Sequence, residues 1–76
     1  MSGPCAFCGH PAALHRLWDS FLTERRRYGA LPAAAMYELD APDLRWLANE
    51  ACEVGCIREA VALQESARVL ELAGRA

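Results

Sequence analysis

The chain has 76 residues, of which 54% are apolar, and its formal net charge is −2. This length allows one domain, the apolar fraction argues against disorder, and the weak negative charge gives no general attraction to nucleic acid. Because 15 residues are alanine, the core has limited buried area. A chain this short with such a core is expected to need a further source of stability.

No targeting signal is expected from the first residues of the sequence. Met1-Ser2-Gly3-Pro4 contains neither a basic run nor an apolar segment, so no signal peptide is predicted. No stretch approaches the roughly 18 apolar residues of a membrane-spanning helix. We therefore expect a cytoplasmic protein without membrane association, in a compartment where paired cysteines bind metal more often than they form disulfides.

The first half of the chain predicts a loop followed by a helix. Residues 1–10 are expected to be a short cysteine-bearing loop, and Pro11 suits the first turn of a helix. Apolar residues at spacings of three and four then predict an amphipathic helix over 11–28. They are Leu14, Leu17, Trp18, Phe21, Leu22 and Tyr28. Gly29 follows as a natural C-terminal cap.

The second half predicts one long helix. Residues 31–39 indicate either a short helix over 32–38 or an irregular connector. Asp40 is a helix N-cap, with Pro42 in the first turn and Asp43 three residues after the cap. A helix is then expected over 41–73, in which Gly55 marks a kink or a close approach of another backbone. The chain is thus predicted to be a single all-α domain.

The four cysteines form two close pairs that predict a metal site. Cys5 and Cys8, followed by Gly9, have the spacing of a zinc knuckle, in which glycine permits a positive φ. Cys52 and Cys56 lie four residues apart, which on a continuous helix places them on one face. One loop pair and one helix pair together would complete a tetrahedral shell of four sulfurs.

The identity of the metal and one ligand stay open. Thiolates bind zinc and also iron–sulfur clusters, so Zn²⁺ is the first expectation and a cluster the alternative. His10 could replace one cysteine, in a site of three thiolates and one imidazole. Four protein ligands fill every position that a catalytic zinc would keep open for water, so a structural site and no enzymatic activity are expected.

Two surfaces are candidates for partner binding. Arg25, Arg26 and Arg27, together with Arg16 on the same predicted helix, could contact the phosphates of DNA or RNA. The long helix would extend about 45 Å, so the first helix could not cover all of it. Its second half would leave an apolar stripe exposed to a partner. That stripe contains Ala60, Leu63, Ala67 and Leu70, with Val61, Val69 and Leu72 beside it.

Aromatic residues could anchor such an interface, since aromatics dominate binding hot spots. Trp18 is expected in the core instead, whereas Trp46 lies off the apolar stripe of its helix and, with Tyr37, is a candidate anchor. The sequence therefore favours a zinc-binding regulatory or adaptor module that binds another protein, itself included as a homodimer. A DNA- or RNA-binding regulator and an iron–sulfur or thiol redox sensor are the alternatives.

Overall fold

The computed structural model describes residues 12–53 and 55–74. Within these residues the chain forms four α-helices and no β-strand, which confirms the predicted all-α class. The helices are α1 (Ala12–Tyr28), α2 (Ala30–Met36), α3 (Ala41–Glu53) and α4 (Ile57–Leu72). The predicted loop over 1–10 lies outside the described residues.

Helix α1 has the predicted apolar face. Trp18, Phe21 and Leu22 are buried, while Tyr28 in the last turn is 58% exposed. Gly29 ends the helix as expected: its φ is +96°, and its N–H donates to the Arg25 carbonyl at 2.8 Å. The same glycine precedes α2, so a single residue turns the chain from one helix into the next.

Helix α2 exists but begins and ends two residues earlier than predicted. Its end is fixed by a Schellman turn, in which the residue after the C-cap adopts the left-handed conformation. Glu38 takes that position with φ +53°. The Glu38 N–H donates to the Ala35 carbonyl at 3.3 Å, and the Leu39 N–H donates to the Ala34 carbonyl at 2.9 Å.

The predicted start of α3 is confirmed. Asp40 Oδ1 accepts a hydrogen bond from the Asp43 N–H at 3.0 Å, and Asp43 Oδ2 accepts one from the Asp40 N–H at 3.3 Å. This reciprocal pair is a capping box with aspartate in the place usually taken by glutamate. It satisfies two backbone N–H groups that would otherwise lack an acceptor at the helix start.

The prediction of one long helix over 41–73 is wrong, because the chain reverses between α3 and α4. Gly55 has φ +87°, its N–H donates to the Cys52 carbonyl at 3.1 Å, and the Cys56 N–H donates to the Ala51 carbonyl at 2.9 Å. These two bonds are the Schellman pattern again, with glycine in the left-handed position. Gly55 therefore terminates α3 and is not an interior residue of a helix.

Helices α3 and α4 form an antiparallel hairpin. Arg45, in the second turn of α3, donates from Nε to Glu71 Oε2 at 2.8 Å and from Nη2 to Glu71 Oε1 at 2.6 Å, which joins the open ends of the two helices. Helix α4 also contacts α1 and α2. The longest dimension of the molecule is 35 Å, shorter than the roughly 45 Å that an unbroken helix would need.

The core is rich in alanine. Half of the buried apolar residues in the described part of the chain are alanines, which allows the helices to approach closely but contributes little buried area per residue. The stripe formed by Ala60, Leu63, Ala67 and Leu70 is buried here. The prediction that it would be left uncovered is wrong, since the chain reversal lays it against the other helices.

The sign of the stability change caused by one substitution distinguishes the hairpin from an unbroken helix. An unbroken helix predicts that Gly55→Ala stabilises the fold by about 1 kcal/mol. Because a Cβ at Gly55 would contact nothing within 4 Å but would sit at φ +87°, we expect Gly55→Ala to lower the free energy of unfolding by about 1 kcal/mol. Urea denaturation followed by circular dichroism measures the change.

A D-alanine at the same position is the matched control for this substitution. It adds the same methyl group but favours a positive φ, so the chemically synthesised chain should be at least as stable as the parent protein. Stabilisation by L-alanine and destabilisation by D-alanine would contradict the hairpin.

The Arg45–Glu71 pair predicts a pH dependence of stability. The hydrogen bond from Arg45 lowers the pKa of Glu71 below its ordinary value of 4.5. A depressed pKa contributes stability that is present above 4.5 and is lost as the pH falls through the folded-state value.

We expect Glu71→Gln to reduce the fall in melting temperature on acidification, and Glu53→Gln to leave it unchanged. Equal acid profiles for Glu71→Gln and the parent protein would show that the pair adds nothing to stability.

Candidate functional site

The described half of the predicted metal site lies at the reversal between α3 and α4. Cys52 is exposed in the last turn of α3, and Cys56 immediately precedes α4, where it is half-buried against the core. The predicted placement of both thiols on one face of a continuous helix is wrong, because α3 ends at Glu53 and α4 begins at Ile57. The pair instead brackets the tight turn at Gly55.

Backbone hydrogen bonds of both Cys52 and Cys56 stabilise this turn. The Cys52 carbonyl accepts the Gly55 N–H, and the Cys56 N–H donates to Ala51 within α3. A hydrogen-bonded turn limits the movement of two side chains attached to it, so part of the entropy cost of chelating an ion is already met by the fold. Two thiolates supply only half of a tetrahedral zinc shell, so any structural site here needs two further ligands.

The remaining predicted ligands, Cys5, Cys8 and His10, lie outside the described residues. Within residues 12–53 and 55–74, no group of three or more histidine, cysteine, aspartate or glutamate side chains is placed to hold a metal ion. The other histidine, His15, packs against Trp18, with ring centroids 5.3 Å apart. It therefore takes part in an aromatic contact beside the core.

The three arginines at the end of α1 are each engaged within the fold. Arg25 lies 3.5 Å from Glu65 of α4, and Arg27 lies 3.7 Å from Glu24 on its own helix. Arg26 donates to Thr23 Oγ1 at 3.5 Å. These are long, solvent-exposed contacts that contribute little to stability, but the two carboxylates reduce the positive potential that a nucleic acid would meet.

A cleft of about 270 Å³ lies between the end of α1 and the beginning of α4. Its lining is Leu22, Arg25, Arg26, Arg58, Glu59 and Ala62. The sequence pattern did not predict that Arg58, which stands 33 positions after Arg25 in the chain, lines the same cleft. Only the reversal at Gly55 brings the two arginines to one cleft.

Of the candidate aromatic anchors, Trp46 is exposed and Tyr37 is not. Trp46 is 54% exposed on the outer side of α3, whereas Tyr37 packs partly buried against the core. Trp18 is fully buried, as predicted. The largest set of exposed apolar side chains on one helix belongs to α4, and these are Ile57 (54%), Val61 (50%), Val69 (42%) and Leu72 (79%).

No protein family model, no characterised protein and no solved structure matches this chain. In the part of the chain that the structure describes, no helix combines the length and the apolar character needed to cross a bilayer.

Proposed function

We propose that this chain is a small, zinc-binding, non-enzymatic regulatory or adaptor module that acts by protein–protein contact. The observation that carries the proposal is the outer face of α4, defined by Ile57, Val61, Val69 and Leu72. All four side chains are at least 42% exposed. Scattered exposed apolar residues are ordinary, but several on one helix face indicate an interaction surface.

The positions of these residues around the helix support a contact surface. At about 100° per residue, Ile57, Val61 and Leu72 fall within about 60° of one another, and Val69 flanks them. The exposed Gln64, Glu65 and Arg68 lie along the same side of the helix. A mixture of aliphatic and polar side chains is typical of interfaces whose partners also exist separately in water.

This face is self-complementary, so the binding partner that fits it is a second copy of this chain. Two α4 helices can pair in an antiparallel arrangement in which Ile57 lies beside Leu72 of the second copy. In this register, Val61 lies beside Arg68 and Val69 of the second copy. In the polar middle, Glu65 then lies about one helical turn from Arg68 of the second copy. One helix face buries less area than a stable dimer needs, so the association should be weak and reversible.

This pairing predicts concentration-dependent self-association. Sedimentation equilibrium from about 10 µM to about 1 mM should show a dimer with a Kd on the order of 100 µM. Val61→Arg brings two arginines together in each half of the interface and should weaken the dimer at least about tenfold. Val61→Glu adds a carboxylate near Arg68 of the second copy and should weaken it less.

Met36→Arg is the matched control for these variants. Met36 is 54% exposed and lies on α2, away from the outer face of α4, so its replacement should leave the dimer unchanged. A parent protein that remains monomeric over the whole range would reject self-association through α4. Equal effects of the Met36 and Val61 variants would reject this face as the interface.

Zinc is proposed as the further source of stability that the alanine-rich core requires. Cys52 and Cys56 flank one hydrogen-bonded turn, and the knuckle spacing of Cys5 and Cys8 supplies the second pair of thiols. Structural zinc sites contribute on the order of 10 kcal/mol, comparable with the whole stability of a small domain. A site of this kind would fasten the beginning of the chain to the α3–α4 turn.

Elemental analysis of the purified protein should therefore give one zinc per chain. Cys8→Ser should lose the metal and unfold the domain, as followed by circular dichroism, since one missing thiolate opens the shell. His10→Ala separates the two ligand sets, because it should retain zinc if all four ligands are cysteines and lose it if His10 is one of them. Visible absorption together with bound iron would show that the site holds an iron–sulfur cluster and not zinc. An unchanged melting curve for Cys8→Ser would contradict a structural metal.

A further inference from the structure

The strongest unassigned feature is the cleft between the end of α1 and the first turn of α4, here called the arginine cleft. Arg25 and Arg26 from α1 and Arg58 from α4 line a volume of about 270 Å³. Arg58 forms no ion pair or hydrogen bond with any described residue. Three arginines from two helices therefore line one cleft, together with the single glutamate Glu59 among its described lining residues.

The charge of this cleft differs from that of the whole chain. Among the described lining residues, three arginines accompany one glutamate, Glu59, so their net charge is +2, whereas the whole chain carries −2. Glu65 also lies near the cleft, and its contact with Arg25 is long, at 3.5 Å. Positive side chains that line one cleft repel each other, and an anion in the cleft would reduce that repulsion.

The chemistry of the lining selects the type of anion. Guanidinium groups donate paired hydrogen bonds that match the oxygen atoms of phosphate, and they do so better than ammonium groups. Leu22 and Ala62 supply an apolar wall that could contact the carbon atoms next to a phosphate ester. The volume lies below the usual range for drug-sized ligands, so it accommodates a phosphate group with a short attachment.

We propose that the arginine cleft binds a single phosphate monoester group as its dianion, whose charge of −2 equals the excess positive charge of the lining. A nucleic acid would present a row of phosphates and would need a continuous basic track. The next arginine along α1 outside the Arg25–Arg27 run is Arg16, about 13 Å away along the helix. The confined cleft therefore favours one phosphate over a polynucleotide backbone.

The test is a titration of the full-length, ¹⁵N-labelled protein with phenyl phosphate at low ionic strength, followed by amide chemical shifts. Saturable shifts should map to residues around Arg25, Arg58 and Ala62. Arg58→Gln should weaken binding at least about tenfold, because it removes a charge-assisted donor. Glu59→Gln should strengthen binding about threefold, because it removes the one carboxylate among the described residues of the lining.

Arg68→Gln is the matched control. It removes the same charge from the same helix but lies outside the cleft, so binding should change by less than about twofold. The absence of saturable shifts, or equal losses for the Arg58 and Arg68 variants, would overturn the proposal. The gain expected for Glu59→Gln keeps the test decisive even if Arg58→Gln perturbs the fold.

Two further ligands distinguish the source of the phosphate group. A phosphoserine peptide that binds at least about tenfold more tightly than phenyl phosphate would assign the cleft to a phosphorylated protein segment, since adjacent residues then contribute contacts. Equal affinities would assign it to small phosphate esters. A single-stranded oligonucleotide that binds more tightly than both monoesters, with a strong salt dependence, would overturn the proposal in favour of nucleic acid.

Phosphate binding in the arginine cleft and self-association through the outer face of α4 can be refuted independently. Arg58→Gln should leave the sedimentation behaviour of the protein unchanged, and Val61→Arg should leave phenyl phosphate binding unchanged. Loss of both properties in either variant would show that the two sites are not separate.

Discussion

The reversal of the chain at the end of α3 determines the rest of this structure. Gly55 adopts a left-handed conformation, and the Cys56 N–H reaches back to the Ala51 carbonyl. This turn directs α4 along α3 and onto α1 and α2, which buries the leucine and alanine stripe of α4. The Arg45–Glu71 pair, the arginine cleft and the position of the two described cysteines all follow from that one change of direction.

Local signals in the sequence were sufficient for the end of α1 and the start of α3, but not for the bounds of α2 or for the break between α3 and α4. Asp40 and Asp43 cap α3 through hydrogen bonds that involve only neighbouring residues, and Gly29 ends α1 where the apolar pattern also stops. Gly55 was misinterpreted because apolar residues continue after it. The overlooked signal is the phase of the pattern: Ala60 stands six positions after Val54, which shifts the second stripe by about 120° around a continuous helix.

The candidate sites differ in how far the sequence could predict them. Paired cysteines are visible as a metal-binding pattern because ligand spacing is a local property, although the backbone between Cys52 and Cys56 proved to be a turn. The convergence of Arg58 with Arg25 could not be predicted, because it depends on how α4 packs against α1. For the same reason the sequence did not separate the buried stripe of α4 from its exposed outer face.

The contact of α4 with all three other helices has a consequence for synthesis of the protein. When the ribosome has completed α3, helices α1 and α2 can pack on each other, but α3 still lacks its main packing partner, so its apolar face remains open to water or to chaperones. The α3–α4 hairpin needs only a short loop to close, which makes it a fast-forming nucleus. Acquisition of the complete fold should therefore be abrupt, and should begin only as α4 leaves the exit tunnel.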